Sequence, residues 1–178
     1  MRIAILGGGR VGSALAATWT ERGHEVTVSQ RGTVAATAAA GDVVVLALPA
    51  LVVPDALAEA GLLDGKVLID ATNNPRGGPS GLEIAALVPA ARYVKAFNTI
   101  FSTFMHDTPP ERPASVVLCG DDEEAKAVAV ALASDLGFEP VDAGGSEVAP
   151  LLEALTKLVV GLAYEQGKGP FVYRFEPR

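Results

Sequence analysis

Apolar residues gather in short, unbroken runs along this chain, and between those runs they recur at helical spacing. Ile3–Leu6 reads as a first strand and Glu25–Ser29 as a second. Asp42–Leu48, Lys66–Ala71 and Arg92–Phe97 are nearly continuous apolar runs, the pattern of parallel strands covered on both faces. Val11, Ala14, Leu15, Thr18 and Trp19 make one face of a first helix that stops at Gly23. Further helices are predicted over Leu51–Ala60 and Leu82–Val88. Ser115–Cys119 and Phe138–Asp142 are later strands. Between them, Asp121 and Glu124 read as a capping box. It opens a helix with Ala125, Val128, Ala129 and Leu132 on its buried face and Gly137 at its end. Val148–Ala163 is a strongly apolar helix. Phe171, Tyr173 and Phe175 alternate along an extended tail running from Gly167 to Arg178.

The strand–helix alternation predicts a Rossmann-type, doubly wound α/β fold with a mainly parallel sheet. Gly32–Gly41 is too short and alanine-rich for a full helix and a third strand, so the usual edge strand beyond strand two is expected to be missing. With 178 residues, 49% of them hydrophobic, the chain can bury one α/β core and has hardly any room for a separate substrate domain. Residues 1–145 are expected to form the dinucleotide-binding unit. Residues 146–178 would complete a substrate pocket or a dimer interface within the same compact body.

Chemistry enters at the first strand's end, where Gly7, Gly8, Gly9, Arg10, Val11 and Gly12 carry a Gly-x-Gly-x-x-Gly turn directly into a helix. Three glycines in that order let backbone amides approach a pyrophosphate, and a side chain at Gly9 would stand where the phosphates go. The helix N-terminus adds unpaired N–H groups and the positive end of its dipole. The spacing alone is a weak signal; between a strand and a helix it is a strong one. The second strand ends in Ser29, Gln30 and Arg31, without the carboxylate that would hold the ribose hydroxyls of NAD. A guanidinium suits a 2′-phosphate instead, with Ser29 or Gln30 adding neutral donors, so NADP is expected over NAD.

Composition narrows the partners. The net charge is −7 with no cluster of Lys and Arg, which argues against a nucleic-acid partner. The lone Cys119 forms no intramolecular disulfide and fits a reducing compartment. No run is long enough for a membrane span, and no signal segment precedes the first strand, so a cytoplasmic location is expected.

Leu6–Gly12, Gly23-His24-Glu25-Val26, Lys95-Ala96-Phe97-Asn98-Thr99-Ile100, Cys119-Gly120-Asp121-Asp122 and Asp142-Ala143-Gly144 together resemble the coenzyme F420-dependent NADP reductases. The resemblance implies NADP over the glycine turn, Arg31 at the 2′-phosphate, and Ala47, Leu48 and Pro49 beneath the nicotinamide half. It also implies Asn98, Thr99 and Ile100 where two ring systems meet, and Gly167–Phe171 helping to enclose a second cofactor, F420. The chain departs from the family in the short Gly32–Gly41 segment and in Ala50, where an aromatic often stands.

Hydride transfer between two such rings needs stacking and exclusion of water rather than a nucleophile, and the sequence carries no Ser/His/Asp set or metal cluster. Asn98 could orient a nicotinamide carboxamide or a substrate carbonyl, or simply tie down a loop. Asn73 and Asn74 either line the cleft or make a turn. Lys95 is open to two readings, a cation for an acidic substrate or an exposed strand lysine. His24 reads as structural, His106 as a surface loop residue and Cys119 as a small buried one. Leu151, Leu152, Leu155, Leu158, Val159 and Leu162 cover more than one face of their helix. One side is expected to dock on the sheet and the other to form a two-fold homodimer interface, unless the aromatic tail covers it. The expected activity is NADP(H)-dependent hydride transfer to or from a small second cofactor or electrophile. A deazaflavin is the first candidate, a flavin or quinone-type compound the next, and a non-catalytic NADP(H) sensor the alternative.

Overall fold

The computed structural model describes residues 1–106 and 113–176. Five parallel strands form the main sheet: β1 (Arg2–Leu6), β2 (Glu25–Val28), β3 (Val43–Leu46), β4 (Val67–Asp70) and β5 (Arg92–Lys95), in the order β2-β1-β3-β4-β5. The central strands are mostly apolar on both faces because both are covered. Ile3 and Ile5 of β1 join one core with Val45, Ile69 and Val94, while Ala4 and Leu6 join a second with Val44, Leu46 and Leu68. The first core is closed by α1 (Arg10–Glu21) and α5 (Glu123–Asp135), and the second by α2 (Val34–Ala40), α3 (Val53–Ala60) and α4 (Gly81–Leu87).

As the short Gly32–Gly41 segment predicts, β2 is the edge of the sheet. The two-turn α2 holds its place by close approach and capping. A Cβ at Gly41 would lie 2.7 Å from that of Ala4. The Lys66 ammonium donates to the carbonyls of Ala38, Ala39 and Gly41, satisfying the helix's C-terminal acceptors.

The sheet changes direction after β5. Lys95 and Cys119 exchange backbone hydrogen bonds as an isolated antiparallel bridge, and β6 (Ser115–Leu118) then pairs in parallel with β7 (Glu139–Asp142) as a two-stranded unit. The helix between them is capped one residue later than the sequence suggests. Asp122, not Asp121, accepts the Ala125 N–H, while Asp121 accepts from the N–H and hydroxyl of Ser146. Arg92 draws the Asp122 carboxylate to the cap through two hydrogen bonds. The reciprocal capping box stands instead at α4, between Ser80 and Glu83.

The C-terminal helix α6 (Ala149–Val160) buries Leu152 and Val159, while Leu151 and Leu158 on its other side are 67% and 60% exposed. It ends in a π-helical turn, Gly161–Glu165, rather than continuing as α-helix to Ala163. The tail expected to be extended from Gly167 begins instead with a turn: Gly167 and Gly169 have positive φ, and the Lys168 and Gly169 N–H groups donate back to Leu162 O and Ala163 O. Further along it meets the start of β6. Ser115 donates its N–H to Tyr173 O, and Phe175 donates its N–H to Ser115 Oγ. The last two residues of the expected tail, Pro177 and Arg178, lie outside the described residues.

Candidate functional site

The carboxyl ends of β1, β3, β4 and β5 open on one edge of the sheet, and the glycine turn lies there between β1 and α1. Gly7 sits at φ +117°, and a Cβ on it would collide with the Ala47 carbonyl; one on Gly12 would collide with the Gly7 carbonyl. Both glycines are therefore demanded by packing. Gly9 differs, because nothing lies within 4 Å of where its Cβ would be. Packing leaves that space empty on the outer side of the turn, where a phosphate cradle needs it. The first turn of α1 holds no acidic residue, and no side chain caps it. Its amides are thus free to meet an anion.

Ser29 Oγ accepts the Gly7 N–H at 3.2 Å, so this side chain braces the turn. Gln30 folds into a local turn, its N–H donating to Thr33 Oγ1 at 2.8 Å. Arg31 and Arg10 are exposed and have no hydrogen-bond or ion-pair partner among the described residues. Ala47 and Leu48 lie against Gly7 at the end of β3, and Pro49 follows them, its carbonyl accepting the Val52 N–H.

Beside the turn, a cleft of about 360 Å³ brings Arg10 and Val11 together with Asn73, Asn98, Thr99 and Ile100. Ala47, Leu48 and Pro49 are not among its lining residues. Asn98 and Asn73 occupy the ends of neighbouring strands and lock together. Asn73 Nδ2 donates to Asn98 O at 2.8 Å, and Asn98 Nδ2 donates to Asn73 Oδ1 and Thr156 Oγ1, both at 3.1 Å. Asn98 is only 4% exposed, and its Oδ1 is buried without a hydrogen-bond partner.

The far wall is not legible in the sequence. It consists of Phe101, Ser102 and Thr103, with Thr156, Val159, Val160 and Tyr164 contributed by α6 and its π-turn. The wider π-turn sets Tyr164 on the same face as Val159 and Val160. Phe101 meets the Tyr164 ring at 5.8 Å and that of Phe171 at 6.3 Å, both edge-on. The tail thus backs the cleft through Phe171, and the Tyr173 hydroxyl bonds Thr99 Oγ1. The apolar helix pattern signals α6, but periodicity gives no sign of the π-turn.

Below the cleft lies an ionic cluster that overturns both readings of Lys95. This residue is 0% exposed. Its ammonium donates to Asp70 Oδ2 at 2.8 Å, Thr72 O at 2.8 Å and Glu153 Oε1 at 3.0 Å. It is neither a surface lysine nor free for a substrate; it joins β4, β5 and α6. Burial and the Asp70 charge push the Tyr93 phenol well above its ordinary range, so it stays a donor to Asp70. Asn74 lines a neighbouring recess of about 330 Å³ that shares Asn73, Thr156 and Val160 with the first. His24 is tied to Asp135 at 2.8 Å, His106 is exposed, and Cys119 is fully buried.

Among the described residues no group of His, Cys, Asp and Glu could hold a metal, and no helix is long and apolar enough to cross a membrane.

A family described as NADP oxidoreductase, coenzyme F420-dependent, matches residues 2–40 and 30–74. The F420-dependent NADP reductase of Methanocaldococcus jannaschii is 29% identical over 89 residues, which are 49% of this chain and 40% of that protein. Metalloreductase STEAP3 of Rattus norvegicus is 35% identical over 99 residues, 52% of this chain and 20% of that protein. The chain thus spans less than half the length of these curated relatives. A crystal structure of a candidate F420-dependent NADP reductase from Arthrobacter sp. FB24 superposes with a TM-score of 0.87 at 28% identity, covering 99% of this chain and 100% of that one. A reductive aminase from Aspergillus terreus, in complex with NADPH4, cyclohexanone and allyl amine, has a TM-score of 0.74 at 21% identity. It covers 94% of this chain and 62% of that one, and shares the fold. The chain is therefore similar to F420-dependent NADP reductases, in sequence through its N-terminal half and in fold over nearly its whole length.

Proposed function

From that similarity to NADP-dependent oxidoreductases, we propose that this protein binds NADP(H) across its glycine turn. There it supports hydride exchange with a second, ring-bearing cofactor or small electrophile. The observation that carries the reading is the turn itself. Gly7 and Gly12 are forced by packing, whereas the space at Gly9 is left open beside an uncapped helix N-terminus. Those features fit a diphosphate, and the unpartnered Asn98 Oδ1 fits a polar group of a ring in the adjoining cleft.

In this reading the amides of Gly8, Gly9 and Arg10 hold the diphosphate, and Arg31 holds the 2′-phosphate with help from Gln30. Ser29 acts one step back, by bracing Gly7. Ala47–Pro49 would support the nicotinamide half from the end of β3. Asn98, Thr99 and Ile100 form the floor, and Val159, Val160, Phe101 and Tyr164 keep water away from the reacting rings. The bound dinucleotide supplies the hydride chemistry. Residues 146–178 complete the pocket, and the exposed stripe of Leu151 and Leu158 is where we place a two-fold homodimer contact, which light scattering would check.

A deazaflavin such as F420 is the first candidate acceptor, supported by the family match and the aromatic wall. The test is NADPH oxidation with F420, free flavin and a quinone as acceptors, alongside NADPH titration. Turnover with F420 supports the full reading. Turnover with flavin or quinone alone moves the acceptor, tight binding without turnover supports a sensor, and no NADPH binding overturns the proposal.

A further inference from the structure

Asn98 Oδ1 is a buried acceptor with nothing to accept from, and its polarity is fixed rather than free to reverse. The Asn98 main-chain oxygen can only accept, so Asn73 must turn its NH2 towards it, at 2.8 Å. That leaves Asn73 Oδ1 facing the Asn98 amide at 3.1 Å, where only an NH2 group is tolerated. Reversing Asn98 alone would set two oxygens against each other there. Reversing both residues would set Asn73 Oδ1 against Asn98 O. Thr156 Oγ1 occupies the second hydrogen of the Asn98 NH2. Both Asn98 donors are thus consumed inside the protein, and the atom left over is an oxygen on a residue that lines the cleft. An unpaired buried acceptor costs the protein stability until a donor arrives.

We infer that Asn98 recognises an N–H donor and not a carbonyl, and that within the NADP(H) reading, on which this inference rests, the donor is the carboxamide NH2 of the nicotinamide. Arg10 and Val11, the first residues of the helix behind the glycine turn, line the same cleft as Asn98, so a dinucleotide anchored at the turn has its path into it. The cleft has no carboxylate among its lining residues, so an N–H group there meets neutral acceptors, and Asn98 Oδ1 is the buried one without a partner. Asn73 is a positioning residue, acting only by setting which end of the Asn98 amide faces the ligand.

The experiment is calorimetric titration of the whole protein with NADP+ and two analogues. In one, sulfur replaces the carboxamide oxygen and the NH2 is kept. In the other, a methyl ketone replaces the carboxamide and the NH2 is lost. The sulfur analogue is expected to bind within about threefold of NADP+ and the ketone about 10- to 100-fold more weakly. Asn98→Ala is expected to erase that gap. Asn73→Leu, which frees the Asn98 amide to turn its NH2 outward, is expected to shrink it while leaving the sulfur analogue and NADP+ alike. Equal binding of the ketone and NADP+ to the unmodified protein overturns the inference and leaves dinucleotide binding intact. Failure of NADP+ itself to bind overturns both.

Discussion

The Phe97 ring meets Trp19 edge-on at a centroid distance of 5.7 Å, and Phe97 is the one non-glycine residue with positive φ, 65°, among the described residues. The two facts belong together. A left-handed backbone costs an L-residue roughly 1–2 kcal/mol, and burial of both rings offsets it. That turn at the end of β5 sends Asn98 and Thr99 into the cleft instead of onward along the strand. Phe97→Ala is expected to lose about 3–5 kcal/mol of stability. Phe97→Gly is expected to be at least as stable as Phe97→Ala, the reverse of the usual order, because glycine removes the backbone strain. Denaturant melts of the two variants decide it; a clearly less stable glycine variant would show that the strain is not stored there.

Two glycines three residues apart should behave in opposite ways. Gly12→Ala places a methyl against the Gly7 carbonyl and near Ile5, so it is expected to destabilise by about 1–3 kcal/mol. The Cβ of Gly9→Val has no protein atom within 4 Å, and the φ of −74° suits any residue. Its stability is expected to stay within about 1 kcal/mol, while NADPH affinity falls beyond measurement. Thermal melts paired with NADPH titration check both, and retained affinity in Gly9→Val would remove the diphosphate from the turn.

Arg31 is exposed and unpartnered among the described residues, so removing it breaks no internal hydrogen bond or ion pair. Arg31→Ala is expected to weaken NADPH binding about tenfold or more through loss of charge-assisted hydrogen bonds. NADH binding and the melting temperature should stay unchanged. Equal losses for NADH and NADPH would assign the 2′-phosphate to another cation.

Burial pushes the Cys119 thiol up to about 11 from its ordinary 9.0. Between those values the unfolded chain gives up its proton and the folded chain keeps it. The thiol's contribution to stability is therefore complete below pH 9 and is lost as pH rises towards 11. Cys119→Ala is expected to flatten the fall in stability over that window. In the native protein at pH 8 the thiol should resist thiol-specific reagents, and rapid labelling without unfolding would contradict its burial.

Much of the site is readable one strand at a time. Gly7, Gly9 and Gly12 announce their turn because the backbone geometry leaves few alternatives, and Asn73 and Asn98 stand out by their places at strand ends. Lys95 misleads because a charged residue in an apolar strand has no local sign of its partners. Asp70 and Glu153 lie 25 and 58 residues away along the chain. The shift of the helix cap from Asp121 to Asp122 has the same origin, since Arg92, 30 residues earlier, chooses between neighbouring aspartates. Tyr164 and Phe101 come together only through the π-turn and the returning tail.

By itself the sequence determined the alternation of strands and helices, the place of β2 at the sheet edge among the described residues, and the glycine turn, because each rests on local periodicity or backbone freedom. Only the tertiary structure decided which atom of Asn98 is left unpaired and what closes the cleft. Hydrogen-bond polarity and enclosure depend on groups that the fold brings together from distant parts of the chain, and no local pattern encodes which of them will meet.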